Sequence, residues 1–126
     1  MFNGKRSVSR RYLLFLKDMH EASLKVVSFA DGLPFETFVE HGMAYHAIVR
    51  LIEIVGEAAK NFPDDVRERH REVEWRRIGR AHDVMAHHYF GIEDETVWEI
   101  VQEHIPELIT QLESVIDHET RSSQEN

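Results

Sequence analysis

Between Asp94 and His118 the apolar residues Val97, Trp98, Val101, Ile105, Leu108, Leu112, Val115 and Ile116 return every three or four positions. Each residue of an α-helix turns the chain by about 100°, so this period lays them along one side of a helix. Such a stripe is unstable in water until another apolar surface covers it. The chain supplies those surfaces in the same period. Leu13, Leu16, Val26, Val27 and Phe29 mark a first helix, capped by Ser7 or Ser9 and ended by Asp31-Gly32. A second segment, from about Pro34 to Asn61, carries Phe35 and Phe38, with a bend expected at Gly42. Beyond the bend its face continues through Ala44, Ala47, Ile48, Leu51, Ile52, Val55, Ala58 and Ala59.

Pro63-Asp64-Asp65 opens a short polar helix reaching about Arg71, because proline is preset for a first turn and acids there oppose the helix dipole. Trp75, Ile78 and Val84 or Met85 mark a further helix, and Gly91 with Glu93-Asp94 breaks the chain after Phe90. Pro106 should kink the last helix, since it removes a hydrogen bond and crowds the preceding turn. No segment alternates like a strand. The sequence therefore predicts an all-α antiparallel helical bundle of four to five helices. It forms one domain over residues 1–118, followed by a polar tail, 119–126, expected to be disordered.

A chain of 126 residues can bury enough surface to fold without staples. It has no cysteine, which excludes thiol catalysis, thiolate metal sites and disulfides, and suits a reducing, cytoplasmic setting. No apolar run approaches the roughly 20 residues of a membrane span. No signal-peptide core follows the basic Lys5-Arg6 and Arg10-Arg11. The net charge of −8 argues against a sequence-blind nucleic-acid binder. The charge is uneven, however: Arg67, Arg69, Arg71, Arg76, Arg77 and Arg80 form a local basic strip. Such a strip is either a solvated face of Glu/Arg pairs or a guide for an anionic ligand.

The strip leads into His82-Asp83-Val84-Met85-Ala86-His87-His88-Tyr89-Phe90, where three imidazoles, a carboxylate and a phenol crowd together. On a helix Asp83 and His87 are one turn apart, and Arg80 and His87 differ by only about 20° in projection. Arg80, Asp83 and His87 are therefore expected to share one stripe, with Tyr89 near its end. A carboxylate fixes the tautomer of an imidazole, and an arginine can hold a phosphate bidentately. The competing reading is a metal site at Asp83 and His87, with His82 and His88 near and carboxylates from Glu53 and Glu57. Against it, a glutamate followed three residues later by histidine, the di-iron bundle signature, occurs nowhere.

The ordered set Ile54-Val55-Gly56-Glu57-Ala58-Ala59-Lys60, Glu74-Trp75-Arg76-Arg77-Ile78, Ala86-His87-His88-Tyr89-Phe90-Gly91-Ile92-Glu93, Val97-Trp98-Glu99-Ile100 and Ile105-Pro106-Glu107-Leu108 resembles the HepT-like branch of the HEPN domain family. The resemblance runs from about Tyr12 to Ile116. It implies a helical bundle that pairs into a homodimer. It also implies a toxin of a toxin–antitoxin pair acting as a metal-independent endoribonuclease on tRNA or mRNA, with no cofactor. The family motif is an arginine, four to six intervening residues, a histidine and, in this branch, a tyrosine two places later. The implied partner is a minimal nucleotidyltransferase antitoxin that can transfer AMP to the motif tyrosine.

His87 matches the motif histidine and Tyr89 the tyrosine. The arginine departs from the pattern. The branch usually places it five residues before the histidine, where this chain has His82 followed by Asp83. The nearest arginine is Arg80, with six residues between it and His87, which meets the looser family spacing. The implied chemistry is proton removal from the RNA 2′-hydroxyl by His87. A cation, either Arg80 or a protonated His82, would stabilise the charge growing on the phosphate, and Asp83 would orient an imidazole. The alternative is a catalytically impaired dimer that binds its nucleotidyltransferase or a nucleotide.

Overall fold

The computed structural model describes the backbone of residues 2–87 and 93–125, with the side chains of 11–83, 85 and 93–122. It is a bundle of α-helices: α1 (Phe2–Ala30), α2 (Phe35–Phe38), α3 (Met43–Ala59), α4 (Asp64–Arg69), α5 (Trp75–His87), α6 (Asp94–Glu99) and α7 (Ile105–Glu125). A π-helical turn, Ile100–His104, joins α6 to α7 without a break. The described residues include no strand, and none of their helices is long and apolar enough to cross a membrane.

The long helices meet along seams whose buried positions alternate steps of three and four. On α1 these are Tyr12, Leu16, Met19, Ser23, Val26 and Ala30; on α3, Tyr45, Ile48, Ile52, Val55 and Ala59. On α7 they are Ile105, Leu108, Leu112, Val115 and Glu119. This average period of 3.5 keeps one face turned to a neighbour along a long contact. α1 packs on both α3 and α7, and α5 packs on the other side of α3. The order across the bundle is thus α5, α3, α1, α7, and a groove remains open between α5 and the last helix.

The core divides along the bundle axis. One half gathers Leu16, Met19, Phe62, Trp75, Leu112 and Val115, with Phe62 and Trp75 ring centroids 4.7 Å apart. The other gathers Val26, Phe38, Ile48, Ile52, Val97 and Val101, where Phe38 lies 4.9 Å from Trp98 and 5.1 Å from Tyr45. Burying each large side chain contributes roughly 1.5–3 kcal/mol before chain entropy is subtracted.

Three local expectations change. The bend in the second segment is a full break: α2 ends at Phe38, and the left-handed residue is His41 (φ 56°), not Gly42. His41 is held there by stacking on Tyr45 at 3.8 Å and by its Nε2 contact with Asp94 Oδ1 at 2.7 Å. Gly42 instead precedes the first turn of α3 in an extended conformation. The irregularity expected at Pro106 is the π turn just before it, where the Ile105 N–H donates to Ile100 C=O. Val97, Val101 and Ile105 are spaced four and four, which would carry an α-helix past the seam. The wider winding of the π turn brings all three to the core. Finally, α7 does not end at His118 but continues to Glu125, because Glu119 is buried and bonded rather than part of a polar tail.

Candidate functional site on α5 and its supports

The inner stripe of α5 repeats the three-and-four rule with Trp75, Ile78, His82 and Met85. His82 therefore takes a position facing α3. It fits there because α3 presents Gly56, and a Cβ at that glycine would sit 2.4 Å from the His82 Cβ and 2.9 Å from the Ile78 carbonyl oxygen. The close approach puts both ring nitrogens of His82 beside carboxylates: Nε2 lies 3.1 Å from Glu57 Oε2 and Nδ1 lies 3.4 Å from Asp83 Oδ1. The His82 side chain is 19% exposed.

Asp83 also takes an ion pair from Lys60, the residue that ends α3. The Lys60 stem lies over Gly79 of α5, so its ammonium reaches across to the carboxylate. The Lys60 hydrogen bond, with a smaller contribution from His82, lowers the pKa of Asp83 below its ordinary value. Glu53 pairs instead with Arg50 at 3.3 Å, on its own helix.

Arg80 stands apart from this group. It is exposed and makes no ion pair among the described residues. Its side chain borders two cavities. One, of about 620 Å³, is the groove between α5 and the last helix; it is lined by apolar Ile52, Val55, Ile78, Ile105 and Leu108, by Arg77 and His104, and by four glutamates, Glu74, Glu93, Glu99 and Glu107. The other, of about 480 Å³, lies at the α4–α5 corner and is lined by five arginines and by Asp64, Glu68 and Glu74. Arg80 and Asp83 thus serve different surroundings. His87 is the last residue of α5, seven positions beyond Arg80; its side chain, and the whole of Tyr89, fall outside the described residues.

A second polar cluster ties α1, α4 and α7 together. Buried Glu119 accepts hydrogen bonds from Arg69 Nε at 3.1 Å and Nη2 at 2.8 Å, and from the Tyr12 hydroxyl. His70 Nε2 lies 2.5 Å from Glu119 Oε2, and Trp75 Nε1 donates to the His70 carbonyl at 3.0 Å. Burial alone would raise the Glu119 pKa, but the bonds from Arg69, Tyr12 and His70 outweigh it and hold it at about 2. Burial and then the bond to Glu119 push the Tyr12 hydroxyl up to about 12. His70, His118 and Glu119 also place ligand-type atoms within 4.8 Å of one another, but both Glu119 oxygens already accept from arginine, tyrosine and histidine. A cation there would have to displace the guanidinium, so the cluster reads as a structural lock.

Nothing in the apolar period announced Glu119 or Lys60. The signal for the α3–α5 contact was present, since a glycine inside an otherwise apolar helix face marks a close approach.

The ribonuclease HepT-like family model matches residues 19–115, about three quarters of the chain. The chain belongs to that family. HepT-like relatives extend the same match. A protein of Caldanaerobacter subterraneus subsp. tengcongensis that carries an RNase name is 40% identical over 94 residues, 75% of this chain and 84% of its own length. Probable ribonuclease HepT of Thermococcus cleftensis is 36% identical over 101 residues, 80% of this chain and 92% of its own. An RNase-named protein of Methanocaldococcus jannaschii is 34% identical over 102 residues, 81% and 84% of the two chains. No solved structure gives a significant match. The HepT-like fold expected from the residues and the helical bundle described above agree.

Proposed function

We propose that this chain is a metal-independent endoribonuclease, the toxin of a HEPN toxin–antitoxin pair, with Arg80 as the cation that holds the scissile phosphate. The observation that carries the assignment is the contrast between Arg80 and His82. Both ring nitrogens of His82 face carboxylates, whose negative charge opposes a phosphate at that place. Arg80 offers an exposed guanidinium, with no ion pair among the described residues, on the helix that ends in His87. A guanidinium is also the better fork for two phosphate oxygens.

In this reading His87 removes the proton of the RNA 2′-hydroxyl. The 2′-oxygen then attacks the adjacent phosphorus, and the bond to the 5′-oxygen breaks. The products are a 2′,3′-cyclic phosphate and a 5′-hydroxyl, the latter receiving a proton from the His87 of a second copy in a homodimer. Arg80 neutralises the charge that grows on the non-bridging oxygens. Lys60, Glu57 and Asp83 position α5 against α3. Tyr89 is the site at which a nucleotidyltransferase antitoxin would add AMP, placing a phosphate and a purine where RNA must lie.

The fixed pairing of His82, at the place where the branch usually carries arginine, favours the second reading, a binding module that holds its antitoxin without cutting. Incubating the protein with RNA in excess chelator, beside His87→Ala, separates the two. Cleavage by the parent only supports the nuclease, and no cleavage by either favours the module.

A further inference from the structure

We infer that the arginine cleft at the α4–α5 corner is a phosphate track that holds an RNA strand beyond the reacting bond, an inference that rests on the ribonuclease reading. Arg67, Arg71, Arg76, Arg77 and Arg80 line this cleft of about 480 Å³ together with Asp64, Glu68 and Glu74, five guanidinia against three carboxylates. Two are neutralised on their own helices, Arg67 by Asp64 at 2.9 Å and Arg77 by Glu74 at 3.2 Å. Arg71, Arg76 and Arg80 are exposed and make no ion pair among the described residues. A solvated face of Glu/Arg pairs would satisfy them. Beyond those two pairs, three guanidinia stand against the single carboxylate of Glu68 around one concavity, a local positive excess on a chain with net charge −8.

The direction of the row gives it a purpose. Arg76 and Arg80 are one helical turn apart on α5, and the backbone position of His87 falls on the same side of the helix after a further seven residues. At 1.5 Å per residue, Arg80 precedes that position by about 10 Å and Arg76 by about 16 Å along the axis. A strand cut at His87 therefore meets Arg76 and Arg71 only with nucleotides that take no part in the reaction. The occupant is a phosphate backbone rather than a protein surface, because Val73 and Trp75, the apolar residues lining the cleft, are 2% and 5% exposed. A protein partner would find no apolar anchor there.

The test uses the double variant Arg71→Gln/Arg76→Gln. Binding of a fluorescent single-stranded RNA of roughly 20 nucleotides is measured in the His87→Ala background over a salt series, so that the strand stays intact. Losing two phosphate contacts should flatten the log–log salt slope by about 1.4 and weaken binding roughly 25-fold at about 0.1 M salt. In the active protein the same pair should slow cleavage of the long RNA but leave a dinucleotide, too short to reach the cleft, cut at the parental rate. Arg121→Gln, which removes an exposed arginine paired with Asp117, serves as the control. Unchanged binding and slope would overturn the track, as would equal loss on both substrates. Long and short RNA cut at parental rates by the double variant would keep the nuclease and remove the track. Binding that depends on Arg71 and Arg76 without cleavage by the parent would keep the track and remove the nuclease.

Discussion

Gly56 of α3 and His82 of α5 touch so closely that a methyl group on the glycine would lie 2.4 Å from the histidine Cβ. The helix carrying the proposed site is thus seated by the absence of a side chain on its neighbour. The nearest obstacles to a Cβ include the Ile78 carbonyl and the His82 Cα, which no rotamer change can move. Gly56→Ala should therefore push α5 off α3 and destabilise the fold by about 2–3 kcal/mol, despite alanine's better helix propensity. Denaturant unfolding measures this, and a variant as stable as the parent would show that the helices are not in contact there.

Arg80→Ala should reduce RNA cleavage about a hundredfold, the usual effect of removing one group that stabilises transition-state charge. His82→Ala should cost less than about tenfold, because its ring is already engaged by Glu57 and Asp83. The reverse ranking, measured as kcat/KM on one RNA, would move the phosphate cation to His82.

Acid should unlock α4. The Glu119 pKa is lowered in the fold from 4.5 to about 2. The stabilisation it gives is therefore complete above about 4.5 and is lost as pH falls toward 2. Glu119→Gln should lower stability at neutral pH and flatten the acid limb of a stability–pH curve. An acid limb identical in parent and variant would refute the lock.

Tyr12 works at the other extreme. Its folded pKa is raised from 10 to about 12, so the stabilisation is present below 10 and disappears as pH rises toward 12. Tyr12→Phe should remove that alkaline dependence and cost about 1–2 kcal/mol near neutrality, since Glu119 loses a donor. Spectrophotometric titration of the tyrosines reads the shift directly.

Ser23 is the exception within the α1 seam: its hydroxyl is buried with no hydrogen-bond partner among the described residues. Ser23→Ala should stabilise the protein by about 1 kcal/mol, removing an unsatisfied group and favouring the helix. A drop in the thermal midpoint would mean that the hydroxyl is bonded after all.

The helices were legible because apolar spacing reports burial, and Leu16, Ile48, Val55, Leu112 and Val115 all lie where that spacing puts them. Trp75 and Met85 likewise marked the inner face of α5. Polar positions inside the seams were not legible: His82 and Glu119 occupy core-facing steps, yet hydropathy assigns both to solvent. Their placement depends on partners remote in sequence, Glu57 and Lys60 for the His82–Asp83 pair and Tyr12 and Arg69 for Glu119. The site could be read as a set of residue types, but which face each took was decided by Gly56. Arg80, offered by the looser motif spacing beside His82, is exposed and borders both cavities, whereas His82 is turned toward α3.

The π turn at Ile100–His104 acts as a vernier on the last helix. It sets the phase of the upstream half, which faces Phe35 and Phe38 through Trp98, independently of the downstream half, which is locked to α1. Losing one residue from this turn would rotate Glu99 around the groove rim while leaving Leu108, Leu112 and Val115 in register, but it would also turn Val97, which is fully buried, out of the core. The orientation of the rim facing Arg80 is thus tied to the packing of Val97 and Trp98, so the residues that hold the upstream half of the helix down also fix the shape of the groove.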